Sequence, residues 1–126
     1  MDERSTAVTI GGKEYEMLLT TGATKAIAAR YGGLENLGDS LMKTENFEAA
    51  LDEIVWLVTL LCNQPIRIHN LRHPEDRQAE LTADEVELLT SPLDLAEYRT
   101  AITEALRRGT QRDVVSGEDS KNARVG

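Results

Sequence analysis

Ile54-Val55-Trp56-Leu57-Val58-Thr59-Leu60-Leu61-Cys62 is the most apolar stretch of the chain, and any fold must find cover for it. Its nine residues are far fewer than the roughly 18–20 that span a bilayer, so it reads as a buried helix. Thr44 or Asn46 opens that helix, which is expected over about residues 46–63. Phe47, Leu51, Ile54, Val55, Val58, Leu61 and Cys62 form one stripe at helical spacing. Trp56, Leu57 and Leu60 widen it until the last two turns are apolar nearly all round. Such a helix is covered on several sides, by a central core or by another subunit. Pro65 is expected to end it.

Upstream, Val8 and Ile10 alternate with polar residues, Gly11-Gly12 follows, and Tyr15, Met17 and Leu19 resume the alternation. This is the pattern of a β-hairpin with a two-residue turn, because glycine accepts the positive φ that such turns need. The register sets Ile10 opposite Lys13 and Val8 opposite Tyr15. One apolar face results, and a lone hairpin is too marginal to leave it bare. Thr20 or Thr21 caps a following helix that runs to about Tyr31 and ends at Gly32-Gly33. Leu34, Leu37 and Leu41 fit a second, short helix.

Downstream, residues 64–80 read as irregular, with Ile66 to Ile68 extended. Thr82-Ala83-Asp84-Glu85 is a capping box that starts a short helix carrying Val86, Leu88 and Leu89. Ser91-Pro92 starts the last helix, with serine as cap and proline at the first position, where its missing N–H costs nothing. Leu95, Tyr98, Ile102, Ala105 and Leu106 make its stripe, and Gly109 is expected to close it. The whole is a mainly α (α+β) domain over residues 1–109, with an N-terminal β-hairpin packed on four to five helices. Residues 110–126 hold only Val114, Val115 and Val125 as sizeable apolar groups and read as a flexible, disordered charged tail.

Charge and composition narrow the function. The 126 residues carry a net charge of −8, which disfavours phosphate backbones as partners. Residues 1–106 hold a net −10 and residues 107–126 a net +2, so the tail differs in sign from the body. The Asp2-Glu3-Arg4 start has no apolar run behind it, which fits a cytoplasmic protein and no membrane. The single cysteine rules out an internal disulfide.

Signs of catalysis are sparse. His69 and His73 stand four apart, but zinc sites of this type want a third ligand and a glutamate after the first histidine, where Asn70 stands. Pro74 also disfavours helical geometry at His73, so two surface histidines are expected and no metal. Cys62 has only apolar and amide neighbours in sequence and reads as a small buried hydrophobe. No cofactor motif and no enzyme signature is present, and a metal-dependent hydrolase on the two histidines is the weakest of the readings. Trp56, with Leu57 and Leu60, is the candidate partner-binding group. The indole is either a core residue or an anchor in a protein–protein contact.

Three stretches resemble the tail assembly chaperones of long-tailed bacteriophages: Thr9 to Glu16, Gly22 to Leu37, and Leu81 to Leu89 followed by Leu93 to Gly109. Together they cover about residues 6–109. The resemblance implies a non-enzymatic protein that binds the tape measure protein and keeps it soluble until the tail tube assembles around it. It further implies a longer form, made by ribosomal frameshifting, that engages the tail tube protein. Lys121-Asn122 fits part of a slippery codon sequence for that event. Association with a second copy is also compatible with the excess apolar surface. The alternative function is an acidic regulatory module that occupies a basic protein surface.

Overall fold

In a computed structural model of the chain, residues 4–33, 36–37 and 47–110 are described. Strands β1 (Thr6–Ile10) and β2 (Lys13–Met17) form an antiparallel hairpin. Gly11 and Gly12 turn it with φ of 60° and 83°, the left-handed values a two-residue turn demands. The pairing is Ile10 with Lys13 and Val8 with Tyr15, as the alternation predicts. Val8, Ile10, Met17 and Leu19 are buried, and Tyr15 is half-buried beside them.

Helix α1 (Thr21–Tyr31) starts at Thr20, whose hydroxyl accepts the Ala23 N–H at 3.0 Å. It ends at Gly32, whose N–H still bonds the Ala28 carbonyl at 2.8 Å while its left-handed φ of 84° turns the following chain out of the helix. Of the expected second short helix, Asn36 and Leu37 are helical and Leu37 is buried; Leu34 and Leu41 lie outside the described residues.

Helix α2 (Phe47–Arg72) corrects the sequence-based expectation most. It does not stop at Pro65, and Ile66 to Ile68 are helical, not extended. Proline lacks the N–H that would bond the carbonyl four residues back. That carbonyl, on Leu61, instead accepts the N–H of Leu18 at 3.1 Å, just past β2. A group that would be orphaned is satisfied from outside the helix, and the helix continues for seven residues beyond the proline. Nearby, the Thr20 hydroxyl donates to Gln64 Oε1 at 2.7 Å, which ties the start of α1 to the same turn. Thr44 and Asn46, the expected start signals of α2, lie outside the described residues.

The connection after α2 is therefore short. Two asparagines of α2 hold it by its backbone. Asn63 bonds both the N–H and the C=O of Leu81, at 2.7 and 2.8 Å. Asn70 does the same for Gln78, at 2.7 and 2.9 Å.

Helix α3 (Ala83–Leu89) begins with the expected capping box between Thr82 and Glu85. Helix α4 (Pro92–Thr110) begins with a similar reciprocal pair, Ser91 and Asp94. α4 lies along β1, where Tyr98 donates its hydroxyl to the Thr9 carbonyl and Arg108 donates to the Ser5 carbonyl at 2.8 Å. α2 touches β2, α1, α3 and α4 and so forms the centre of the core. Ile54, Leu57, Val58 and Leu61 of α2 pack with Ile10, Met17, Ile27, Val86 and Ile102. The result is an α+β fold, a hairpin on four described helices. Apart from Thr110, which ends α4, the expected tail lies outside the described residues.

Gly109 is not the closing residue its type suggests. It lies inside α4, and a Cβ built there would sit 2.6 Å from Leu19 Cβ. The glycine lets α4 approach the hairpin exit. Alanine normally favours a helix interior by about 1 kcal/mol over glycine. Here the clash outweighs that gain, so Gly109→Ala should lower the melting temperature in a thermal unfolding scan. A rise would show that α4 packs less closely than described.

Candidate functional site

The three apolar residues singled out in α2 separate. Leu57 is 0% exposed and sits in the core, so it offers a partner nothing; this corrects its assignment as a contact residue. A fully apolar helix turn cannot show from sequence alone which residue faces the other elements. Trp56 and Leu60 are half-buried and pack against the core.

Trp56 is also engaged by its neighbours. Tyr31 meets it edge-on, with ring centroids 6.1 Å apart at 75°. The Arg30 guanidinium lies 4.5 Å from the indole centroid, within cation–π range. Glu53, one turn before Trp56, accepts from Arg30 at 3.1 and 3.3 Å and from the Tyr31 hydroxyl. The group joins the end of α1 to α2. Burial alone would raise the Glu53 carboxyl, but the bonds from Arg30 and Tyr31 outweigh it and hold it below its ordinary value. Burial and the bond to Glu53 push the Tyr31 phenol up to about 12.

The open apolar surface lies elsewhere. Leu88 is 84% exposed and Leu93 is 72% exposed, on either side of the turn between α3 and α4. Leu89 is half exposed and packs against Gly11 of the hairpin turn. Beside that turn, a cleft of about 220 Å³ runs between α2 and the start of α4. Leu51, Val55, Pro92 and Leu95 give it an apolar lining, and Glu48, Asp52 and Glu87 make it acidic. Leu71, at the end of α2, is a further exposed leucine.

A signal for this corner was present in the sequence. At 100° per residue, Leu88 stands about 200° from Val86, the inward residue of α3. Leu93 stands equally far from Leu95, the first inward residue of α4. Each points away from the face its helix buries.

His69 and His73 do come together, with rings 4.9 Å apart, because α2 carries His69 in its last turn and His73 continues the same backbone bonding. His69 Nε2 bonds the Asp76 carbonyl at 2.7 Å, and His73 Nδ1 lies 3.7 Å from Glu75. Among the described residues no group of three or more His, Cys, Asp or Glu side chains is placed to hold a metal ion. Cys62 is buried, which pushes its thiol up to about 12. No described helix is long and apolar enough to cross a membrane.

No family model, curated protein or solved structure matches the chain.

Trp56→Ala would remove a half-buried ring and the surface on which Arg30 lies. It should cost about 2 kcal/mol, read as a lower midpoint in urea unfolding. Tyr31 generates a pH prediction. Its folded-state pKa is raised, so its contribution is full below pH 10 and is lost as pH rises toward about 12. The Tyr31→Phe variant should lose less stability than the parent between those limits. Equal losses would show that the phenol is not held as described.

Proposed function

We propose that this chain is a non-enzymatic tail assembly chaperone of a long-tailed bacteriophage, acting in the host cytoplasm on the tape measure protein. The resemblance over residues 6–109 supports this function. The observation that carries it is at the turn between α3 and α4, where Leu88 and Leu93 stand exposed and their chain neighbours Glu87 and Pro92 line an apolar cleft with acidic residues in its wall. A chaperone for a long helical client must cover apolar stripes while staying soluble. Exposed leucines supply the first need and surrounding acid the second. A client helix would lay its apolar face on Leu88, Leu93 and the cleft and set basic flanks toward Glu48, Asp52 and Glu87. The partner surface is thus moved from Trp56, Leu57 and Leu60 to the corner between α3 and α4. The tail tube protein is the second partner in this proposal, engaged by a frameshifted longer form.

Binding can be tested by co-expressing the chain with the tape measure protein of the same genome. Replacing Leu88 and Leu93 together by aspartate should weaken the complex at least about tenfold. The thermal unfolding curve should scarcely move, because both side chains are exposed. Undiminished binding by the double variant would remove the corner as the contact. Binding that survives high salt fits apolar docking. Steep loss with salt would favour the alternative, an acidic regulator on a basic protein surface.

A further inference from the structure

We propose that the outer edge of β2 is a docking site for an extended, basic peptide segment, which adds to the hairpin as a third strand. The inference does not depend on the chaperone function.

The hairpin register decides which main-chain groups point outward. Ile10 with Lys13, Val8 with Tyr15 and Thr6 with Met17 are the bonded pairs of a two-residue hairpin. Ser5 and Thr9 on one strand, and Glu14, Glu16 and Leu18 on the other, therefore turn their main-chain groups away from the partner strand. On the β1 side, α4 takes the carbonyls of Ser5 and Thr9. On the β2 side, only Leu18 is engaged, through Leu61. Among the described residues, the N–H and C=O groups of Glu14 and Glu16 have no protein partner.

These groups line a groove of about 640 Å³, within the range of binding pockets. Its far wall is the segment Gln78–Leu81, pinned to α2 by Asn70 and Asn63. Between the pinned ends, the main chains of Ala79 and Glu80 also lack a protein partner. Pro65 and Ile66 of α2 lie between the two walls. The proline that frees the Leu61 carbonyl thus lies where the edge leaves the helix.

Charge selects the occupant. Glu14, Glu16, Glu80 and Glu85 line the groove with Lys13, and although Arg67 pairs with Glu80 at 3.0 Å, the acidic side chains remain in excess. A second copy pairing β2 with β2 would oppose glutamate to glutamate, and like charges directly opposite destabilise a sheet. The chain's own residues 111–126 carry three basic and three acidic side chains, so no net charge draws them in. A strand added here alternates its side chains between two faces. One set would lie over Pro65 and Ile66, and the other on the face that carries the Glu14 and Glu16 side chains. The favoured sequence alternates apolar with lysine or arginine.

The test uses the full chain and a fluorescent peptide of about eight residues alternating lysine and valine. Anisotropy should show saturable binding, with affinity about tenfold or more above that for a glutamate–valine peptide. Methylating alternate backbone nitrogens of the peptide, on the side that would face β2, should abolish binding at constant charge. Glu16→Lys should narrow the preference between the two peptides, because it removes two units of the groove's negative charge. Glu16→Pro should abolish binding, since proline is tolerated at a strand edge but removes the outward N–H. If it fails to fold, the methylated peptide still reports on backbone pairing. Equal binding of the methylated peptide, or no binding of the lysine–valine peptide, would overturn the proposal. So would dimerisation in sedimentation that excludes the peptide and is lost on Glu16→Pro, because it would assign the edge to a second copy.

Discussion

The hydrogen bond from the Leu18 N–H to the Leu61 carbonyl holds this structure in register. Pro65 cannot donate to that carbonyl, and an unsatisfied carbonyl within the core would cost about 1–3 kcal/mol. By accepting the first main-chain N–H beyond β2, α2 both survives its own proline and fixes the height at which the hairpin docks. The remaining fold follows from that contact. Met17 and Leu19, on either side of Leu18, are buried in the core, and the Thr20 cap of α1 reaches Gln64 one residue before the proline. The extra turns of α2 carry Asn70, which holds Gln78 and so directs the chain back toward α3.

The same arrangement explains where apolar surface is spent and where it is left over. α2 is enclosed by the hairpin, α1, α3 and α4, so Leu57 and Leu61 are fully sealed. The short α3 can bury only one face, represented by Val86. Leu88 is left in solvent with Leu93, on the other side of the turn. Among the described residues, most of the exposed large apolar side chains therefore flank the turn between α3 and α4, with Leu71 standing apart at the end of α2, and acidic side chains of α2 and α3 line the cleft at that turn.

Trp56 shows why a large aromatic residue is a poor guide to a contact surface by itself. Its ring lies off the main stripe of α2, which is why it could be read as an anchor. In the fold, Arg30 and Tyr31 from α1 cover part of it, and Glu53 binds both of them. The indole serves the joint between two helices, with a charged group as its lid.

The local signals alone determined most elements. Gly11-Gly12 needed positive φ, alternation set the hairpin register, Thr20, Thr82 and Ser91 offered caps, and Gly32 could end a helix in the left-handed region. Each of these acts within a few residues, so each could be read without a fold. The angular positions of Leu88 and Leu93 were readable in the same way. The fate of Pro65, the role of Gly109, the burial of Leu57 and the partnerless groups at Glu14 and Glu16 were not. They depend on Leu18, Leu19 and the hairpin arriving beside helices far along the chain. Whether a proline breaks a helix, or a glycine ends one, is decided by what packs against it, and only the tertiary structure brings that partner.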